Sequence, residues 1–337
     1  MRRADFIHLC LMLIALGLAY AVPFELLALA YVVLGPAHYT TEISWLHERR
    51  YFVPHRGYAV ALIVLALGAA LITNASWFGF MMWAALVLGA LLITARTGVH
   101  GVALVIAATG LTAIFFARPP ALAVIGVLLP TLIHVSVFTL IFMALGAWRA
   151  RSTPQAGLTA VYLAAIALLL FVPPAEATAI PRFAAITRDY FGTVAQALGV
   201  LFGSRDIHLD MRLTGLLSFL YTYHYLNWFI KAEVIRWAVI PRRRWLVIGT
   251  VSAASTGLYF YDYALGFGVL LALSLAHVVL EFPLNALAVR QLGEAVGNGL
   301  MTLMIRPHRS RARLNAASSS ARRRARPSRP DRARQPR

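Results

Sequence analysis

The sequence predicts an all-α, polytopic membrane bundle of about ten transmembrane helices, followed by a disordered basic tail. Three observations carry that prediction. Hydrophobic residues make up 60% of the 337 and charged residues only 13%, against roughly a quarter charged in a soluble domain. Apolar runs of about 17–25 residues, each long enough to cross a bilayer, recur from end to end. The arginines cluster between those runs and at the C-terminus.

The first apolar stretch, 6–46, is interrupted at Val22-Pro23, because proline disfavours helix at the residue before it. A tight hairpin there gives a short first helix near 5–21 and a second near 24–46. Later helices are expected near 57–73, 77–95, 98–116, 121–148, 156–173, 211–239, 244–262 and 264–290. With a cytoplasmic N-terminus, one side then receives Arg2, Arg3, Arg49, Arg50, Arg56, Arg96, Arg149, Arg151, Arg242, Arg243, Arg244 and the tail. Merging the first two helices would put most of these outside, against the positive-inside rule. The expected location is a bacterial inner membrane with both termini cytoplasmic. Arginine in place of lysine almost throughout, with Lys231 the single lysine, fits a GC-rich bacterial genome. Segment 174–210, opened by Pro173-Pro174, reads as an interfacial connector or a substrate lid.

The chain divides into a transmembrane domain, 1–305, and an Arg-rich tail, 306–337. The tail holds 12 arginines and one aspartate, so it supplies +11 of the formal net charge of +18. Its Ser, Pro and Ala offer no core, and contact with anionic lipid is expected of it before nucleic acid. The lone cysteine, Cys10, excludes an intrachain disulfide and a cysteine-rich metal site.

Four histidines interrupt the apolar segments: His38, His134, His224 and His277. An uncompensated imidazole in hydrocarbon costs roughly 2–4 kcal/mol, so each needs a partner. A single intramembrane histidine is commonly a hydrogen-bonded packing residue. These four fall on the second, sixth, eighth and tenth helices, all running the same way. Their depths, about 9 to 15 residues from the cytoplasmic ends, agree to within roughly 10 Å. One shared metal site is the economical reading.

Glu42 follows His38, and Glu281 follows His277, by one helical turn, so each pair shares a face. Asn227 and Lys231 continue the His224 face, and Asn285 that of His277. Imidazoles with carboxylates suit iron, zinc, copper or manganese. Glu42 and Glu281 are either further ligands or groups that orient the rings, and spacing does not decide between them. Glu42, Glu281 and Lys231 are the expected catalytic residues. Asn227, Asn285 and Tyr223 are expected to hold the imidazoles from behind. Lys231 either snorkels to the interface or pairs with Glu42 or Glu281. Tyr39, Tyr221, Tyr225, Trp45 and Trp228 surround the histidines, as interface anchors or as the lining of a pocket for a polyene or acyl chain.

Gly35-Pro36-Ala37-His38, with later lone histidines on separate helices, resembles the Brp/Blh-type bacterial carotene dioxygenases. The likeness covers the general layout and the Pro-x-His element, here followed by Tyr-Thr-Thr-Glu where that family has a Gly and an Asp. It implies a multi-helical fold in which intramembrane histidines coordinate iron to cleave β-carotene into retinal. By position, His38, His134, His224 and His277 would be the iron ligands. The first functional expectation is therefore a His-ligated metal oxidoreductase, with iron and dioxygen, acting on a lipophilic substrate such as a carotenoid or acyl lipid. The His-x-x-His-His boxes of membrane desaturases are absent. A haem-binding electron carrier is an alternative, as is a proton-coupled transporter, although no inverted repeat is visible.

Overall fold

A computed structural model describes residues 3–53, 56–71, 75–94, 128–175, 208–230 and 240–324, with isolated positions between 108 and 126. All described secondary structure is helical. The chain divides into a unit Met1–Val289 and a unit Arg290–Arg337.

Helix α1 (Arg3–Ala21) stops at Val22, the residue restricted by Pro23, with φ −142° and ψ 59°. Pro23 then opens α2 (Pro23–Leu29), at a position where its missing N–H costs no hydrogen bond. The break is a single residue wide. A π-helical turn, Ala30–Leu34, joins α2 to α3 (Gly35–Glu48). Pro36 explains that turn: it has no N–H, and its ring would strike the carbonyl one turn back, Val32. Thr256 Oγ1 donates to that displaced Val32 carbonyl at 2.9 Å. Beside it, Thr40 Oγ1 and Ser252 Oγ both donate to the Pro36 carbonyl, at 2.7 and 3.2 Å. This ladder docks α9 (Arg242–Tyr261) on α3. Thr256→Val keeps the volume and removes the donor. It is expected to lower stability by about 1–3 kcal/mol, read as a lower melting temperature in detergent.

Helices α4 (Arg56–Leu71) and α5 (Ala75–Thr94) pack on each other. A second π-helical segment, Leu129–Phe138, begins beside Pro130 and runs into α6 (Thr139–Ala150). Arg151, left-handed at φ 47°, ends α6, and Ser152 caps α7 (Thr153–Phe171) by accepting from Gln155 N–H at 3.4 Å. Tyr162 of α7 donates to the Val135 carbonyl within the π segment at 3.2 Å. Helix α8 (His208–Ile230) packs against α1, α2, α3, α7 and both π segments. The last helix is α10 (Tyr263–Arg324).

Two apolar clusters fill the first unit. One joins α1, α2, α7 and α8; the other joins the end of α3 with α4, α5 and α10. Ile133 touches both, and the histidines lie at this seam. Four stretches are long and apolar enough to cross a membrane: Arg3–Ala21, Leu129–Ala150, Thr153–Phe171 and Leu265–Gly297. Gly57–Leu71 and Trp77–Leu91 are shorter apolar helices.

Most of the expected helix near 98–116 and most of the 174–210 segment lie outside the described residues, as do Lys231 and 325–337. Helix α10 continues through 306 to Arg324.

Candidate metal centre

Each histidine is delivered by a different segment: His38 from the first turns of α3, His134 from the second π segment, His224 from α8 and His277 from α10. Their rings close a four-membered circuit. Centroids are 4.8 Å apart for His38–His224, 5.0 Å for His224–His134, 5.1 Å for His134–His277 and 5.3 Å for His277–His38. Every contact in the circuit is edge-on. His38, His134 and His277 are buried; His224 is half-buried and marks the open side. The second π segment carries His134, and the first ends one turn before His38. The extra residue per turn re-aims side chains there at the cost of weaker backbone bonding.

The carboxylates take different places. Glu42 Oε2 lies 3.0 Å from His38 Nε2, and His224 Nε2 lies 3.2 Å from that same nitrogen. Glu42 is thus on the inner side, among the atoms that face one another. Ligand atoms of His38, Glu42 and His277 fall within 4.8 Å of one another, as do those of His38, His134 and His224. Glu281 Oε2 instead meets His134 Nδ1 at 3.2 Å, and Asn285 Nδ2 lies 3.5 Å behind that carboxylate oxygen. Both ring nitrogens of His134 are buried and neither forms a hydrogen bond, so the Glu281 contact is a close approach without hydrogen-bond geometry. At His224, Thr139 Oγ1 holds Nδ1 at 2.8 Å and leaves Nε2 directed at His38. A hydroxyl on one ring nitrogen with the other turned toward the circuit, as at His224, is the pattern by which metal-binding histidines are oriented.

The donor set fits a transition metal. A neutral imidazole Nε2 carries at most one proton, yet His38 Nε2 faces both a carboxylate and a second imidazole nitrogen. A cation among these lone pairs removes the conflict. Charge balance agrees: Glu42 and Glu281 are buried, and no arginine or lysine is buried among the described residues. Buried carboxylates need a compensating charge. Protonated histidine or a bound cation can supply it here.

Of the residues expected behind the imidazoles, Asn285 is fully buried and reaches Glu281. Asn227 is buried on α8, but no described hydrogen bond joins it to the cluster. Tyr223 faces elsewhere: its ring lies 5.5 Å from Tyr162 and 6.1 Å from Phe219. Its neighbours along the helix face explain this, since positions 219 and 223 share the stripe that packs on α7. Thr139 was not anticipated. Tyr39 and Tyr225, read only as surroundings, flank the site closely. Tyr39 stacks on His277 at 4.3 Å, Tyr225 lies 4.7 Å from His38, and their hydroxyls meet at 2.7 Å. A repeated His-Tyr dipeptide, at 38–39 and 224–225, is the sequence signal that marks both.

No protein-family model, no characterised protein and no solved structure matches this chain.

Proposed function

We propose that this chain is a membrane-embedded oxidoreductase. It holds one transition metal, iron in this reading, among His38, His134, His224, His277 and Glu42, and acts on a lipophilic substrate such as a carotenoid or an acyl lipid. One observation carries the reading: four imidazoles from four segments close a circuit of centroid spacings from 4.8 to 5.3 Å around an inward carboxylate. The arginine pattern, read by the positive-inside rule, favours cytoplasmic termini, and arginine in place of lysine favours a bacterial inner membrane.

Bound iron would supply activation of dioxygen. The protein does the rest. Thr139 fixes the His224 ring, and the Asn285–Glu281 pair lies against His134. Tyr39 and Tyr225 wall off the His38 and His277 edges from water. Half-buried His224 is the side from which a substrate dissolved in the bilayer can arrive. Rings this close leave no slot for a macrocycle between neighbours, which favours a bare ion over haem.

Elemental analysis of detergent-purified protein tests the proposal. Near-stoichiometric iron is expected in the wild type, with loss in both His38→Ala and His277→Ala. A metal-free wild type, or metal unchanged in both variants, sinks it. One observation favours a second reading, a proton relay. Glu42, His38, His224 and Thr139 form a continuous chain with steps of 3.0, 3.2 and 2.8 Å. A relay without metal predicts proton movement that survives chelators.

A further inference from the structure

Two tryptophans connect the histidine circuit with a basic helix end. Trp228, one turn beyond His224 on α8, sets its ring 5.6 Å from that of His38. Trp45 follows at 5.5 Å from Trp228. Above Trp45, the Arg49 guanidinium sits 4.0 Å from the ring centroid. Arg244, at the start of α9, pairs with Glu48 and brings Arg242 and Arg243 to the same end. Arg50, Arg242 and Arg243 are exposed there.

Interface anchoring does not explain these tryptophans. An anchoring indole presents its N–H to the headgroup region. Trp228 Nε1 instead donates inward to Thr41 Oγ1 at 3.0 Å, and Trp45 is only 8% exposed. Both rings are held edge-on, His38 to Trp228 at 88° and Trp228 to Trp45 at 88°. The arrangement is a fixed aromatic ladder from the candidate metal to a positively charged surface.

We propose that Trp45 and Trp228 form an electron path into the site, and that the Arg49, Arg50, Arg242–Arg244 end docks an acidic one-electron carrier protein. The proposal rests on the metal reading above. One electron leaves the carrier's reduced iron–sulfur cluster and tunnels past Trp45 and Trp228 to the histidine-held metal. The carrier is oxidised by one electron, the metal is reduced by one, and no proton is transferred. The Arg49 charge over Trp45 makes that indole harder to oxidise. It therefore acts as a bridge for electrons moving inward and not as a resting place for an oxidising equivalent. Such a path implies a reaction that consumes electrons from outside.

The test uses full-length, iron(III)-loaded protein in detergent, mixed anaerobically with a reduced acidic plant-type ferredoxin and followed by stopped-flow and by the EPR signal of the metal. The wild type is expected to show a fast reduction that slows as salt is raised. Trp228→Leu and Trp45→Leu are expected to keep their iron and lose the fast phase, whereas Trp45→Phe keeps it. No described contact joins Trp45 to the histidines, so its variant separates the path from damage to the site. Equal fast phases in all three tryptophan variants, at equal iron content, overturn the path. Arg50→Glu with Arg243→Glu is expected to weaken the salt dependence and slow the reaction about tenfold. Unchanged kinetics with weakened binding to anionic vesicles would make the arginines a lipid contact and overturn the docking surface. A wild type that binds no iron defeats the metal reading itself, which the iron measurement reveals before any kinetics are run.

Discussion

Glu42→Gln is expected to abolish stoichiometric metal binding, while Glu281→Gln keeps the metal at reduced affinity. The two residues look equivalent in sequence, each one helical turn after a histidine. Their carboxylates do different things. Glu42 meets the inward nitrogen of His38, at 3.0 Å, where a ligand would sit. Glu281 lies 3.2 Å from His134 Nδ1 and belongs to neither group of ligand atoms that falls within 4.8 Å. Removing an orienting partner of this kind weakens metal binding by about 10- to 100-fold. Removing a charged ligand takes away both a donor and the negative charge that offsets the cation. Glutamine preserves the volume and one hydrogen-bonding oxygen in each case, so folding is retained. Competition with a chromophoric chelator, read alongside total metal, separates the two outcomes. Equal losses at both positions would reject the division of roles.

Gly89→Ala is the second large effect, and it acts through packing. A Cβ at position 89 would lie 2.9 Å from Phe282 Cβ, 3.1 Å from the Phe282 carbonyl carbon and 3.1 Å from Pro283 N. Two of those atoms are backbone, so rotating a side chain does not make room. The helices α5 and α10 touch here because Gly89 has no side chain. Overpacking of this kind costs about 1–3 kcal/mol. Phe282 adjoins Glu281 in the chain, so moving α10 also pulls the carboxylate from His134. The expected result is a lower melting temperature in detergent together with weaker metal retention. A shift in melting temperature with unaltered metal affinity would mean that α10 adapts without moving Glu281.

Much of the class was legible without coordinates. Repeated apolar runs and few charges predict membrane helices because backbone polar groups in hydrocarbon must bond within their own segment. The structure retains that helical character, and four stretches meet the length and composition needed to span. Pro23 was also readable, since a missing N–H acts locally. What Pro36 produces was not readable. The π turn depends on Thr256, more than two hundred residues away, to satisfy the Val32 carbonyl. Tyr223 shows the same limit: it stands in the same aromatic run as Tyr225, yet a step of two residues turns it to the opposite side of α8.

The amino-acid sequence by itself determined that His38, His134, His224 and His277 are costly in apolar helices, and that Glu42 and Glu281 share faces with His38 and His277. Only the tertiary structure decided the pairing. His38 and Glu42 do meet within one helix, but Glu281 turns from His277 to His134 on another segment. The physical reason is that a one-turn spacing fixes a common face and no more. Which group a buried carboxylate meets depends on what the neighbouring helix brings within about 3 Å of it. That neighbour is set by packing contacts such as Gly89 against Phe282, whose partners lie far apart along the chain.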